Sequence, residues 1–228
     1  MATANNLKAI WDNSHSKIPT NKDFSRYAED QLADLAANSS ICDLGGGSGV
    51  DGILFAQQGH KVTIYDISPL ALERAKKHGI ELGLELNVVQ SDFGSDQFAL
   101  PVDTFDFVYS RLALHYFPSV QLARILATVY ASLKDGGKAK ITLKSPVDAR
   151  EMNYIKSNAE ESEPGVFIQE GQIKTRFSLT QLNSILEKSG IPESSYSIGE
   201  ITEDLSGRVD TIKSGNKVMS LNEITITK

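Results

Sequence analysis

SICDLGGGSGVDGILFAQQGHKVTIYD, residues 40–66, is the stretch from which the fold can be read. Ser40 to Leu44 is short and apolar at Ile41, Cys42 and Leu44, the pattern of a buried strand that runs into a glycine cluster. Val50 to Gln58 is helical in pattern, with Ile53, Leu54 and Phe55 apolar and Gly59 placed to stop it in the left-handed conformation. Lys61 to Asp66 is β-branched and aromatic, a second strand. Two strands joined through a helix at this spacing must run parallel, because a crossover returns the chain to the same edge of the sheet.

Reading downstream extends the alternation. Ser68-Pro69 is an N-cap followed by proline at the first helical position, and the helix it opens is expected to reach about His78, with Gly79 behind it. Leu86–Gln90 and Thr104–Tyr109 read as the third and fourth strands, Ser119–Leu133 as a helix closed by Lys134-Asp-Gly-Gly137, and Lys138–Leu143 as the fifth strand. Residues 145–177 break the rhythm, with Glu160, Glu161 and Glu163 just before Pro164-Gly165, and read as an insertion. Ser178 to Ser189 resumes as a helix whose Ser178 and Gln181 form a capping box. Tyr196–Ile201 and Glu223–Thr227 read as a long antiparallel hairpin at the sheet edge. Upstream, Asn21 to Ala37 places Phe24, Tyr27, Ala28, Leu32 and Leu35 near a helical period, and the segment before it, with Trp11, His15 and Pro19, shows no period and reads as an arm or lid. The fold class expected is α/β, a doubly wound Rossmann-like sheet with helices on both faces.

Composition narrows the setting. A length of 228 residues suits one domain with an added segment, and 40% hydrophobic with 23% charged residues is ordinary for a globular chain. There is no run of 18 apolar residues to cross a membrane and no apolar core to a signal peptide at the N-terminus. One cysteine, Cys42, supports neither a disulfide framework nor a cysteine-rich zinc site, so a reducing cytoplasm is expected. The net charge of −6 disfavours broad binding to a phosphate backbone, so nucleic acid is not the expected partner.

The glycine loop admits two readings. Gly47-Ser-Gly49-Val-Asp-Gly52 fits the dinucleotide pattern, whereas Asp43-x-Gly45-x-Gly47-x-Gly49 is a glycine turn with an acidic start. A pyrophosphate at this helix N-terminus would face Asp43 and Asp51; a like-charge pair at ~6 Å and an effective dielectric of ~20 costs roughly 3 kcal/mol before screening. A cationic cofactor suits an acidic mouth better. Asp66 ends the second strand, where a carboxylate can accept both ribose hydroxyls, and Ile67 follows it. Asp92-Phe93 ends the third strand, and Asp106 lies inside the fourth, where it is assigned to the fold or to the strand-end network. Asp43 either touches the ligand or orients the amides of the loop.

Together these residues resemble the class I S-adenosylmethionine-dependent methyltransferases over about Ile41 to Leu143. The resemblance implies a seven-stranded sheet of order 3-2-1-4-5-7-6 with the last strand antiparallel. It implies S-adenosylmethionine as cofactor, bound by Asp43, Gly45, Gly47, Gly49, Asp66, Ile67, Asp92, Phe93, Ser110 and Arg111. In the family the methyl points at the loop after the fourth strand, here Tyr109 to Pro118, which makes His115 and Tyr116 the candidate catalytic residues. The chain is expected to be one domain over 1–228, with residues 1–37 as a helical arm or lid and 145–177 as an insertion capping the acceptor site. Tyr27, Arg150, Tyr154 and Arg176 are the candidate acceptor contacts. The Asn-Pro-Pro-Tyr and Asp-Pro-Pro-Tyr motifs of base-amino methylation are absent after the fourth strand, and no pair of histidines has metal-ligand spacing, so no metal is expected. The implied activity is methyl transfer to oxygen, nitrogen or sulfur of a small molecule by a monomer or homodimer. Residues 52–68 also resemble the thiopurine and tellurite-resistance type within the family. An NAD-dependent oxidoreductase and a non-catalytic cofactor-binding module are the alternatives, separable by which cofactor binds and whether turnover follows.

Overall fold

The computed structural model describes residues 4–17, 23–205 and 218–228. At its centre β1 (Ser40–Leu44) pairs in parallel with β2 (Lys61–Asp66) on one side and β4 (Phe105–Arg111) on the other. β3 (Leu86–Gln90) extends the sheet beyond β2, and β5 (Leu133–Lys144) extends it beyond β4. β9 (Tyr196–Asp204) and β10 (Val218–Thr227) form the antiparallel hairpin, with β10 inserted between β5 and β9. The order β3-β2-β1-β4-β5-β10-β9 is the expected one, and the chain reverses direction across the sheet between β1 and β4. In an open sheet of this kind the crevice at the carboxyl ends of the strands beside that reversal is where ligands bind.

Both faces are covered, because the central strands are apolar on both sides. Ile41, Ile64, Phe107 and Tyr109 pack against residues of α2 (Arg26–Gln31), α3 (Val50–Gln57) and α4 (Pro69–Glu81). Cys42, Leu44, Val108 and Ile141 pack against α5 (Ser119–Ser132) and α7 (Leu179–Ser189). Asp106 is at the amino edge, opposite to the ligand-binding crevice: its carboxylate accepts from Ser40 N at 2.7 Å and Lys134 Nζ at 2.9 Å. It therefore ties β4 to the start of β1 and is no part of a strand-end acidic row.

Several boundaries differ from the sequence reading, each for a local reason. The segment with Trp11 and His15 is itself a helix, α1 (Ala4–Ser16), while Pro19 lies outside the described residues. The helix expected over Asn21 to Ala37 is shorter. Asn21 lies outside the described residues, and α2 begins only after Ser25, whose hydroxyl caps Ala28 N; a 3-10 turn at Leu32–Asp34 then gives way to extended Leu35. Gly79 does not stop α4. It lies inside the helix because a Cβ there would come within 2.7 Å of Leu86 Cδ1, and the left-handed residue that follows the helix is Gly83 (φ +70°). The insertion folds into α6 (Ala149–Asn158) and a separate antiparallel sheet of β6 (Glu160–Glu163), β7 (Val166–Gln169) and β8 (Gln172–Thr175). Glu170 and Gly171, at φ +51° and +78°, make the two-residue turn between β7 and β8, the backbone that matches strand twist in a tight hairpin.

The capping box of α7 forms as read, with Gln181 N donating to Ser178 Oγ and Ser178 N to Gln181 Oε1. Ser178→Ala should lower stability by about 1 kcal/mol and the melting temperature by about 2–4 °C, measured by thermal and urea unfolding.

Candidate functional site

The turn from β1 to α3 is built around a buried acid. Gly45, Gly47 and Gly49 all have φ between +55° and +80°, a backbone that side-chain-bearing residues rarely adopt. Each glycine face is also crowded. A Cβ on Gly45 would come within 2.2 Å of Ala113 Cβ, on Gly47 within 2.5 Å of His15 Cε1, and on Gly49 within 2.8 Å of Ile64 Cδ1. The close approaches that call for glycine are thus made by the post-β4 loop, by α1 and by the sheet. Gly46, which the spacing pattern leaves as any residue, is as constrained, since a Cβ there would lie 2.3 Å from Asp43 Oδ2. Asp43 itself is 2% exposed, accepts from the amide of Gly52 and keeps Oδ2 buried without a hydrogen-bond partner. Burial, then the nearby charges of Asp51 and Asp66, push its pKa well above the usual carboxylate range. Its carboxyl group is beneath the loop, which favours the loop-orienting role over ligand contact.

Asp66 closes the other side of the crevice. Its Oδ2 accepts from Gly47 N and its Oδ1 from Ser68 N, both at 2.9 Å, leaving further lone pairs on a side chain at the mouth of the crevice. Burial raises its pKa, opposed by the Ser68 amide, His15 and the Gly47 amide. Ile67 is half-buried beside it, and its carbonyl accepts from Gln90 Nε2. Asp92 Oδ1 holds Gly94 N at 2.9 Å, and the buried Phe93 ring reaches within 3.7 Å of the Cβ position of Gly45 while packing on Phe98 and Phe117. Ser110 Oγ donates to the carbonyl of Leu44 at 2.8 Å, and Arg111 donates through Nε and Nη2 to both carboxylate oxygens of Glu203, which engages its guanidinium within the fold. α1 covers this region. Ser68 Oγ donates to Asp12 at 2.5 Å, Arg74 Nη1 donates to His15 O at 2.5 Å, and the Trp11 ring stands edge-on to Tyr116 at 4.7 Å. A turn of left-handed glycines, an acid at the end of β2 and another after β3 together suit a nucleoside with a cationic centre.

The 3-10 turn Leu114–Tyr116 after β4 carries His115 and Tyr116, their rings 4.2 Å apart. His115 is 2% exposed, and burial, then Arg176, Lys144 and Lys174, push its pKa well below the ordinary histidine value. Burial also pushes Tyr116 up to about 12. The imidazole is therefore neutral near pH 7 and a weaker base than free histidine. Of the candidate acceptor contacts, Arg176 joins this group, buried against Glu151 of α6. Tyr27 does not: it is a core residue whose hydroxyl donates to Glu223 at 2.7 Å and whose ring packs near Tyr109. Arg150 and Tyr154 are exposed on α6, with Tyr154 Oη accepting from Gln169 Nε2. Lys144 and Glu151 were not among the expected residues, because a strand-end lysine and a helix glutamate carry no motif.

Residues 41–137 match the family described as Methyltransferase domain. Over 118 residues the chain is 33% identical to the 18S rRNA (guanine-N(7))-methyltransferase bud23 of Schizosaccharomyces pombe, covering 48% of this chain and 42% of that protein. The chain spans about half the length, or less, of the curated relatives it matches. A protein solved in work on the conversion of a disulfide bond into a thioacetal group during echinomycin biosynthesis shares the fold with a TM-score of 0.71 at 16% identity, covering 97% of this chain and 92% of that one. The Burkholderia thailandensis 1,6-didemethyltoxoflavin-N1-methyltransferase, solved with 1,6-didemethyltoxoflavin and S-adenosylhomocysteine, gives 0.67 at 16% identity over 100% of this chain and 91% of that one. The match over residues 41–137 and the shared sheet order make this chain similar to class I S-adenosylmethionine-dependent methyltransferases, whose fold it has. Because one relative is named for an rRNA base, net acidity alone does not set RNA aside as an acceptor. Among the described residues no helix is long and apolar enough to cross a membrane.

Asp43 gives a signed test. A carboxyl whose folded pKa is raised above its unfolded value binds protons more tightly when folded, so it weakens the fold as pH rises from the unfolded toward the folded pKa. Asp43→Asn removes that titration. The stability of the variant relative to the parent should therefore increase from pH 4 to pH 7.5 in urea unfolding, and a difference independent of pH would refute the buried-acid assignment.

Proposed function

We propose that this domain transfers a methyl group to a small-molecule acceptor received between the post-β4 turn and the small sheet of the insertion, with α1 as a cover over the cofactor. The observation that carries the reading is the grouping of His115, Tyr116 and Arg176, from the 3-10 turn and the residue after β8, beside the carboxyl edge of the sheet. When bound, S-adenosylmethionine supplies a methyl already activated by a positively charged sulfur. The chain's part is then chiefly to align the reactants and keep water out. In this reading Asp66 accepts the ribose hydroxyls, the Gly45–Gly49 turn lets the methionine moiety come close to backbone, and Asp92 and Phe93 border the base. Trp11 on Tyr116, together with Asp12 on Ser68, supports a closed α1 that excludes solvent from both ends of the crevice. His115 and Tyr116 shape the acceptor side; a neutral, weakened imidazole suits positioning better than proton abstraction.

The 33% identity to an rRNA guanine-N7 enzyme supports a second reading, in which the acceptor is an RNA base. The two separate on salt: binding of an rRNA fragment that falls steeply between 50 and 200 mM salt favours RNA, and turnover of small acceptors insensitive to salt favours the first.

Isothermal titration should show S-adenosylhomocysteine binding and no NAD binding. Asp66→Ala should weaken the former at least about tenfold, about 1.4 kcal/mol. Asp12→Ala should hasten dissociation of S-adenosylhomocysteine in stopped flow, and an unchanged off-rate would remove α1 as the cover.

A further inference from the structure

Beside His115 two cations share one carboxylate. Glu151 of α6 receives Arg176 Nη2 and, at 3.0 Å, Lys144 Nζ from the end of β5. Arg176 is 3% exposed; its Nη1 donates to Thr175 O at 2.7 Å, while its Nε is buried without a hydrogen-bond partner. His115 Nδ1 is likewise buried and without a partner. Lys174, whose ammonium donates to Gln169 Oε1 at 2.6 Å, adds a third positive charge that acts on His115.

The charges do not balance. Placing a guanidinium out of water is costly unless its charge and its donors are matched, and here a single carboxylate faces two cations while one donor stays unmatched. A neutral ligand leaves that surplus in place, whereas an anion offsets it. Lys144 is the accessible member, its side chain 26% exposed and its ammonium carrying donors beyond the one on Glu151. Arg176 is the deep one.

We propose that the acceptor carries a carboxylate, and that Arg176 Nε and Lys144 Nζ receive it beside His115 and Tyr116. The inference rests on the small-molecule reading above and deepens it. Depth selects the kind of anion. Phosphate-backbone contacts are made by basic side chains along an exposed surface, whereas Arg176 is almost wholly enclosed by α6, β8 and the post-β4 turn. So enclosed a group suits a small carboxylate rather than a polynucleotide strand. The same arrangement gives the two sides of the crevice separate tasks: Asp66 suits a cationic donor, and the Lys144–Arg176 pair suits an anionic acceptor.

The test is titration calorimetry on the full chain saturated with S-adenosylhomocysteine, using benzoate, 4-hydroxybenzoate and cinnamate, each against its primary amide. At least one acid should bind about tenfold or more tighter than its amide. Lys144→Gln, which leaves the Arg176–Glu151 pair intact, should reduce that preference to less than about threefold, and Arg176→Gln should abolish it. Binding of S-adenosylhomocysteine by each variant certifies that it is folded. Equal binding of acid and amide, no binding of either, or a preference that survives both substitutions overturns the proposal while the cofactor reading stands. Failure of the parent to bind S-adenosylhomocysteine overturns the reading beneath it instead.

Discussion

A carboxyl group shut away from water under a turn of glycines is the constraint on which this sheet edge depends. Asp43 fills the space where Gly46 and Gly52 have no side chain, and through the Gly52 amide it joins the end of β1 to the start of α3. With the turn drawn down in this way, Gly45 N reaches Tyr65 O at 2.7 Å and Gly47 N reaches Asp66. Asp66 also holds Ser68 N, and Ser68 in turn caps α4 through Ala71 N and anchors α1 through Asp12. A single chain of contacts thus runs from the centre of the sheet to the helix that covers it. A void or a clash under Gly46 would be felt at each step, because interiors packed this tightly transmit small displacements.

Asp51 closes the arrangement from the other side. Its carboxylate accepts from Ser25 N, Ser25 Oγ and Tyr109 Oη, all at 2.8 Å, which binds the N-terminus of α2 to α3 and β4. The loop acids therefore differ in kind. Asp51 is satisfied by three donors, Asp66 by two backbone amides with capacity remaining, and Asp43 has one oxygen with no donor at all. Burial, then the charges of Asp51 and Asp66, raise the proton affinity of Asp43.

Much of this architecture is legible in the residues themselves. β1, β2 and β3 follow the expected bounds, the Ser68-Pro69 cap and the Ser178–Gln181 box form, and the edge hairpin closes the sheet as read. These features are local: a strand end, a cap or a stop depends on a few neighbouring side chains. What escapes the sequence is tertiary. Gly79 looks like a helix stop, yet it serves the approach of α4 to Leu86; Gly46 looks like a free position, yet it faces Asp43. The sheet of the insertion is hidden because its strands are four residues long and β6 is wholly charged or polar, so no alternation marks it. Tyr27 has the chemistry of an acceptor contact, but Glu223, distant in sequence, draws its hydroxyl into the core. Lys144 and Glu151 matter only by meeting Arg176, and no spacing rule foretells that.

The position of α1 has a kinetic consequence. Its His15 rests on the glycine turn and its Trp11 on Tyr116, so one rigid helix bears on the donor half and the acceptor half of the crevice at once. If that helix is the cover, neither half can be vacated while the other stays sealed. On the proposed reading, release of the spent donor and of the methylated product share one gating motion, that of a helix that holds none of the reacting atoms.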